Sequence, residues 1–440
     1  MRQNSITIIV PVIKDKIQKL LDQLAVIKTD LDNGNSQDFE NLDVIHFARW
    51  AVIDHGKSWI NDPTPRVPKL VFVVDFDGDV DAFFKGFCRD SSDILDKVYT
   101  FCEGFTVADQ RDTESRVSFL KKYIVKDAAV YIGAPGRTVQ QIKDESELRN
   151  HIRKYLDSRS WEDVSANTIH KKIKEDVLSN KEKFSFLGNK AKMPGINWWG
   201  IGFFGLILLA ILAAGIYWIG LIFLACFFGV LLLPIVFWIV MLHFFYEKKD
   251  VNFTKKRSGL DSSYLSELEK YEDFINQNQF TQLVDMKEGK VRLITIKAMF
   301  ALSRTLIRFI FVKGKLMGIP TIHFAKWVMF EDNSRVLFFS NFDGSWQQYL
   351  GDFIDNSGWG LTGIFSNTKV FPKTNFLLTG GAYDEEHFLA WSRNSELVTN
   401  VWYTAYPKLS IKNVNNNTKI RVLLMKSLSE RQAAKFLKLI

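Results

Sequence analysis

Apolar positions follow two regimes along this chain. Between Met193 and Tyr246 there is no Asp, Glu, Lys or Arg, and nearly every residue is apolar. On either side, apolar residues come in short runs with a period of two or of three to four, the marks of strands and amphipathic helices. Roughly 20 apolar residues cross a bilayer core as a helix, and one straight helix of the whole run would extend about 75 Å. The run therefore reads as two spans, residues 198–217 and 221–243, with Gly215 and Gly220 bracketing a turn that holds Tyr217 and Trp218. Trp198 and Trp199 at the entry, and Trp238, Phe244, Phe245 and Tyr246 at the exit, suit the headgroup layers.

Charge orients the hairpin. Lys181, Lys183, Lys190 and Lys192 precede it, Lys248, Lys249, Lys255, Lys256 and Arg257 follow it, and the turn is uncharged. The positive-inside rule then puts both flanks and both termini in the cytoplasm, as expected of a two-pass protein of the cell inner membrane. With no charged residue deep in either span, the hairpin reads as an anchor and not as an ion path.

The polar halves share a signature. His46-Phe47-Ala48-Arg49-Trp50 is followed by a strand ending Asp75-Phe76-Asp77-Gly78, and His323-Phe324-Ala325-Lys326-Trp327 by one ending Asn341-Phe342-Asp343-Gly344. After each Asp-Gly, helical spacing returns at Val80, Phe83, Phe84 and Phe87, and at Trp346, Tyr349, Leu350 and Phe353. In the first half, a strand at residues 5–12, a helix at 14–31 and a later strand at 128–132 complete the order β-α-β-β-α-β. In the second, residues 280–285 suggest the first strand and 295–312 a helix with Lys297, Arg304 and Arg308 on roughly one face. That helix reads as the first helix of the repeat, or as one that also lies on the membrane surface. Residues 359–440 read as further strand-rich structure closing on a short helix at 429–439.

The expected organisation is a first α+β domain at 1–144, a charged helical linker at 145–195, the hairpin at 196–246, a helical linker at 247–279 and a second α+β domain at 280–440. The net charge of +8 gathers beside the hairpin, where it faces an anionic leaflet, so no nucleic-acid partner is needed. Arg2-Gln3-Asn4 leads straight into a strand, so no signal peptide is expected. Cys88, Cys102 and Cys226 form no CxxC spacing, which suits a reducing compartment.

Candidate chemistry lies in the repeated residues. Strand alternation puts His46 on one face with Ala48 and Trp50, and His323 with Ala325 and Trp327. Each histidine is either a ligand or proton-transfer residue in an interior cavity, or a structural hydrogen-bonding group. Asp77 and Asp343 are candidate acid partners, or caps of the helix that follows. Arg49 and Lys326 fall on the opposite face, as ligand-binding cations beside Trp50 and Trp327 or as surface charges. The turn at residues 133–138, with two glycines and Arg137, suggests an anion site. Asp384, Glu385, Glu386 and His387 mark an acidic helix start, and no metal site is expected.

These paired segments resemble the ferredoxin-like, dimeric α+β-barrel superfamily. They resemble in particular an uncharacterised group of bacterial membrane proteins with similar His-Phe-Ala-Arg and Phe-Asp-Gly segments. A distant likeness to dye-decolourising peroxidases rests on Asp77-Gly78 and Asp343-Gly344. These match the end of that family's Gly-x-x-Asp-Gly stretch, with Val74 and Ser340 at the first glycine. The resemblance implies two ferredoxin-like repeats joined by the hairpin and pairing into one body. The expected function is a membrane-anchored module binding a lipid, a hydrophobic small molecule, a protein partner or a second copy of itself. The alternative that the peroxidase likeness implies is a haem- or peroxide-dependent oxidoreductase, with His46 or His323 as ligand and Asp77 or Asp343 as distal acid.

Overall fold

The structure, a computed structural model, describes residues 2–35, 37–40, 42–55, 66–189, 191, 198–270, 272, 275–311 and 315–440. Lys190, Lys192, Met193, Phe274, Val312 and most of the loop after β2 lie outside the described residues, as do the side chains of Trp198 and Trp199. In chain order the first half comprises β1 (Gln3–Pro11), α1 (Ile17–Asp32), α2 (Gln37–Glu40), β2 (Ile45–Ile53), β3 (Lys69–Asp77), α3 (Val80–Asp90), α4 (Ser92–Tyr99), α5 (Thr113–Lys122), β4 (Ile124–Val125), β5 (Asp127–Ile132), α6 (Val139–Asp157) and α7 (Ala166–Ser179). Two apolar helices follow, α8 (Trp198–Ile219) and α9 (Leu221–Phe245). The second half holds α10 (Ser262–Glu269), β6 (Gln277–Asp285), α11 (Lys290–Phe309), β7 (Ile322–Phe330), β8 (Arg335–Asp343), α12 (Trp346–Phe365), β9 (Thr374–Asn375), β10 (Thr379–Gly380), α13 (Glu385–Ser395), β11 (Val401–Thr404), α14 (Ile411–Leu424) and α15 (Glu430–Leu437).

The class is α+β with antiparallel sheets. One sheet has the order β11-β2-β3-β1-β4, another β5-β7-β8-β6, and β9 and β10 form a small hairpin. This corrects the expectation that the strand at 128–132 completes the first unit. β5 pairs instead with β7, from Asp127↔Val328 to Ile132↔Phe324, and β11 pairs with β2, from Val401↔Trp50 to Thr404↔Phe47. Only Lys126 separates β4 from β5, so the chain has no room to turn back and runs on from one sheet into the other. Each sheet thus takes its last strand from the other half.

The sheets face each other. Ile9, Val71 and Val73 of one meet Val328, Leu337 and Phe339 of the other in an apolar inter-sheet cluster. Their outer faces are covered by helices: Trp50, Phe72 and Phe76 pack against Phe83 and Phe87 of α3, and Trp327, Phe338 and Phe342 against Trp346 and Tyr349 of α12. At roughly 1.5–3 kcal/mol per large side chain buried, these three layers dominate the stability of the body. Residues 359–440 are mainly helical, not strand-rich: α12 continues through a kink at Ser357 (φ −143°) to Phe365, and α13 to α15 follow. The expected linker at 145–195 packs Leu148, Ile152, Ile173 and Val177 of α6 and α7 onto Ile420, Leu424 and Phe436 of α14 and α15.

α8 and α9 are long and apolar enough to cross a membrane, and their apolar windows are not buried against the rest of the protein. Gly215 lets the first helix approach the Phe223 ring of the second, where a Cβ would come within 2.2 Å. Pro234 lies inside α9. The last turns of α9 meet the body: Leu242 is buried, and the Trp238 indole N–H donates to Thr295 Oγ1 of α11 at 3.0 Å.

Candidate functional site

A bulge decides where the histidines point. β2 shifts register against β3 between Ile45 and Phe47, and β7 shifts against β8 between Ile322 and Phe324. One extra residue in each bulge turns two successive side chains to the same side. His46 and Phe47, and likewise His323 and Phe324, therefore all face the inter-sheet space. The expected face shared with Ala48/Trp50 and Ala325/Trp327 is overturned by this break in alternation. Trp50 and Trp327 sit on the helix-facing sides, stacked on Phe72 and Phe338 at 4.8 Å each.

Each histidine meets an aspartate. His46 Nε2 lies 3.1 Å from Asp77 Oδ1, and His323 Nε2 lies 2.7 Å from Asp343 Oδ1. The other carboxylate oxygens accept from helix starts, Asp77 Oδ2 from Val139 N and Asp343 Oδ2 from Ile411 N, each at 2.7 Å. A carboxylate suits the positive end of a helix dipole. The helices capped are thus α6 and α14, not those that follow in sequence; Asp79 and Ser345 cap α3 and α12. Asp77 and Asp343 end their strands pointing inward, and the chain must turn at Gly78 and Gly344, both at positive φ, before a helix can start.

Tyr406 joins the first pair, its hydroxyl 2.9 Å from His46 Nδ1. Burial, reinforced by the carboxylates of Asp77, Asp75 and Asp343, pushes its phenol well above the ordinary value, so it serves as a proton-bearing hydrogen-bond group. The Phe47 ring lies 5.4 Å from His323, and His46 lies 5.4 Å from Phe324, so the two bulges interlock.

Arg49 and Lys326 are interior, not surface, charges. Arg49 crosses from one sheet to the other, donating to Phe280 O, Thr281 Oγ1 and Ser340 O at 2.9 Å, to Gln279 Oε1 at 3.1 Å, and to Asn341 Oδ1. Lys326 lies 3.6 Å from Asp127 Oδ1, and Asp75 accepts from Ser5 and, at 3.3 Å, from Asn341 Nδ2. Burial lowers Arg49 to about 10, lowers Lys326 and raises Asp75 and Asp127. The expectation that Arg49 and Lys326 lie on the opposite face from the histidines is overturned by the same bulges, which bring all four side chains between the sheets; that a second sheet covers this face is what the residues alone do not say.

The structure thus gathers His46, His323, Asp77, Asp343, Arg49 and Lys326 between the sheets and leaves Trp50 and Trp327 outside. The space left there, bordered by Ser5, Asp75, Phe324, Lys326 and Asn341, is about 10 Å³. That is below the range of about 300–1,000 Å³ usual for small-molecule sites. His46 has partners at both nitrogens, and His323 Nε2 is held by Asp343. These residues do not fit a haem.

Other candidates resolve differently. In the turn at 133–138, Gly136 N donates to Gln3 Oε1 at 2.7 Å and Gln3 Nε2 donates to Arg137 O at 2.8 Å. The buried Arg137 guanidinium keeps Nε and Nη2 without a hydrogen-bond partner among the described residues, and burial lowers it to about 10. His387 Nδ1 lies 2.9 Å from Asp384, and no metal-holding group forms among the described residues.

Two features escape the sequence reading. Gln3-Asn4-Ser5-Ile6-Thr7 opens β1, and Gln277-Asn278-Gln279-Phe280-Thr281 opens β6. Asn4 Nδ2 donates to Gly78 O at 2.6 Å and Asn278 Nδ2 to Gly344 O at 2.8 Å, so the same pair holds each Asp-Gly turn. This signal was visible as a repeated Gln-Asn-x-x-Thr. The second feature is a small, open apolar recess between α11 and α12, bordered by Leu306, Ile307, Met317, Trp327, Phe353 and Trp359, with a free volume of about 30 Å³. It forms where α12 kinks at Ser357, which no residue pattern announces.

No protein-family model matches this chain, and neither the curated proteins nor the solved structures include a detectable match.

Proposed function

We propose that this protein is a membrane-anchored module that takes a lipid or hydrophobic small molecule into the recess between α11 and α12. In this reading α8 and α9 form a transmembrane hairpin, and the body comprises two ferredoxin-like units, products of a duplication, on the cytoplasmic side of the inner membrane. The shared bulge, the His–Asp pairs and the Gln-Asn pairs support the duplication; the basic flanks support the orientation.

One observation carries the choice of ligand. The inter-sheet space is nearly filled by the protein's own side chains, whereas the open recess is lined by apolar groups and one wall of it, α11, touches the last turns of α9. Apolar pockets with few polar groups are the usual form of small-molecule sites. Because the histidines leave no haem site, the oxidoreductase alternative supplies no step here; an absorption band near 400 nm in purified protein would restore it.

The test is Ser303→Trp, which sets a large ring at the recess lip. The protein purified in mild detergent, and the variant beside it, are titrated with an anilinonaphthalene probe, and bound lipid is extracted and weighed by mass spectrometry. The expected loss is about tenfold in probe affinity, equivalent to about 1.4 kcal/mol, with an unchanged melting temperature. Equal affinity and equal extracted lipid in the two proteins would overturn the reading.

A further inference from the structure

α11 presents an outer face that the body leaves bare. At about 100° per residue, Ile294, Ala298, Ala301, Leu302 and Thr305 share an arc without a charge. Ile294 and Leu302 are 53% and 43% exposed. Lys297, Arg304 and Arg308 border the arc on one side, all exposed, and α11 has no acidic residue. None of the three has a carboxylate partner among the described residues. On the other border is Thr295, the residue that accepts from Trp238 of α9. The bare face is therefore continuous with an apolar helix long enough to span a membrane.

A second element leans on the same helix end. The hairpin of β9 and β10 turns through Phe376 and Leu377, both with positive φ (53° and 56°), a conformation that is unfavourable for bulky side chains. The buried Glu247 carboxylate holds the turn in place. It accepts from Phe376 N at 2.7 Å, Leu377 N at 3.0 Å and Thr374 Oγ1 at 2.6 Å, and it lies 3.0 Å from His243 Nδ1. The Phe376 ring stacks on His243 at 3.8 Å, and Leu378 is 67% exposed at the tip. A strained apolar tip, fixed by a buried carboxylate to the foot of α9, has no role in the body's own core.

We infer that the body lies on the membrane as well as hanging from it: the outer face of α11 and the tip at 376–378 enter the headgroup–acyl boundary of an anionic leaflet. The apolar arc supplies burial in lipid and the basic border supplies headgroup pairing, the division of labour of an in-plane helix. The inference rests on the reading of α8 and α9 as membrane-spanning.

Single cysteines at Leu302, Leu378, Leu232 of α9 and the exposed Lys419 of α14 report depth in a Cys226→Ala background, where Cys88 and Cys102 are buried. The full chain carries a bimane label in bilayers of equal phosphatidylcholine and phosphatidylglycerol. Doxyl lipid should quench positions 302, 378 and 232 roughly threefold more than 419, and iodide should do the reverse. If 302 and 378 behave like 419 while 232 is quenched by lipid, the docking inference falls and the membrane anchor stands. If 232 also behaves like 419, both fall. Removing phosphatidylglycerol should weaken lipid quenching at 302; no change would overturn the anionic preference.

Discussion

Replacing Arg49 by Met separates two accounts of one residue. A surface charge would cost within about 0.5 kcal/mol. The structure instead has Arg49 bridging the sheets, 1% exposed, with five oxygen partners on β6 and β8. Hydrogen bonds to a charged group are worth about 1.5–3 kcal/mol each but do not add, and the guanidinium regains its hydration on unfolding. Breaking a buried charge network by removing one member costs about 3–5 kcal/mol. Methionine fills most of the vacated volume, so the lower end, about 3 kcal/mol, is expected. For a body of about 400 residues, at about 2.1 cal/mol/K of unfolding entropy per residue, that corresponds to a fall in melting temperature of roughly 4 °C. Urea unfolding in dodecyl maltoside at neutral pH, followed by tryptophan fluorescence, measures it. A loss under 1 kcal/mol would refute the assignment of Arg49 as the bridge, whatever happens to ligand binding.

Two further outcomes follow from buried groups elsewhere. Glu396 shares the Arg393 guanidinium with Glu272, and burial raises its carboxyl to about 8. The folded state thus holds a proton that the unfolded state loses near 4.5, so this group's stabilisation is full below 4.5 and disappears as pH rises through about 8. Glu396→Gln should flatten the slope of melting temperature between those values; an unchanged slope would count against it. At Gly133 an added Cβ would sit 2.0 Å from Ile322 O, so Gly133→Ala should push β5 off β7 and destabilise by roughly 3 kcal/mol or more. Hydrogen exchange should quicken along β5 and β7, and a variant as protected as the parent would contradict the close approach.

What was legible in the residues, and what was not, follows from the kind of information each carries. Residue identity and period revealed the His-Phe-Ala-cation-Trp strands, the Asp-Gly turns and the apolar helices, because those depend on local pattern. The inward turn of His46 and His323 depends on a bulge, which leaves no mark in His-Phe-Ala. The burial of Arg49 depends in part on backbone carbonyls of Phe280 and Ser340, which any side chains could supply. The exchange of β5 and β11 depends on which sheet a strand joins, and alternation is silent on that. Yet the exchange explains the aspartates. β5 lies in the sheet of His323, but the helix it leads into, α6, offers its first amide to Asp77 of the other sheet. β11 lies in the sheet of His46, and its helix, α14, bonds Asp343 across the gap. Each His–Asp pair is therefore tied to a helix whose strand belongs to the opposite sheet. Parting the sheets would break both ties at once, so these residues have a sufficient physical reason to recur even without a reaction to catalyse.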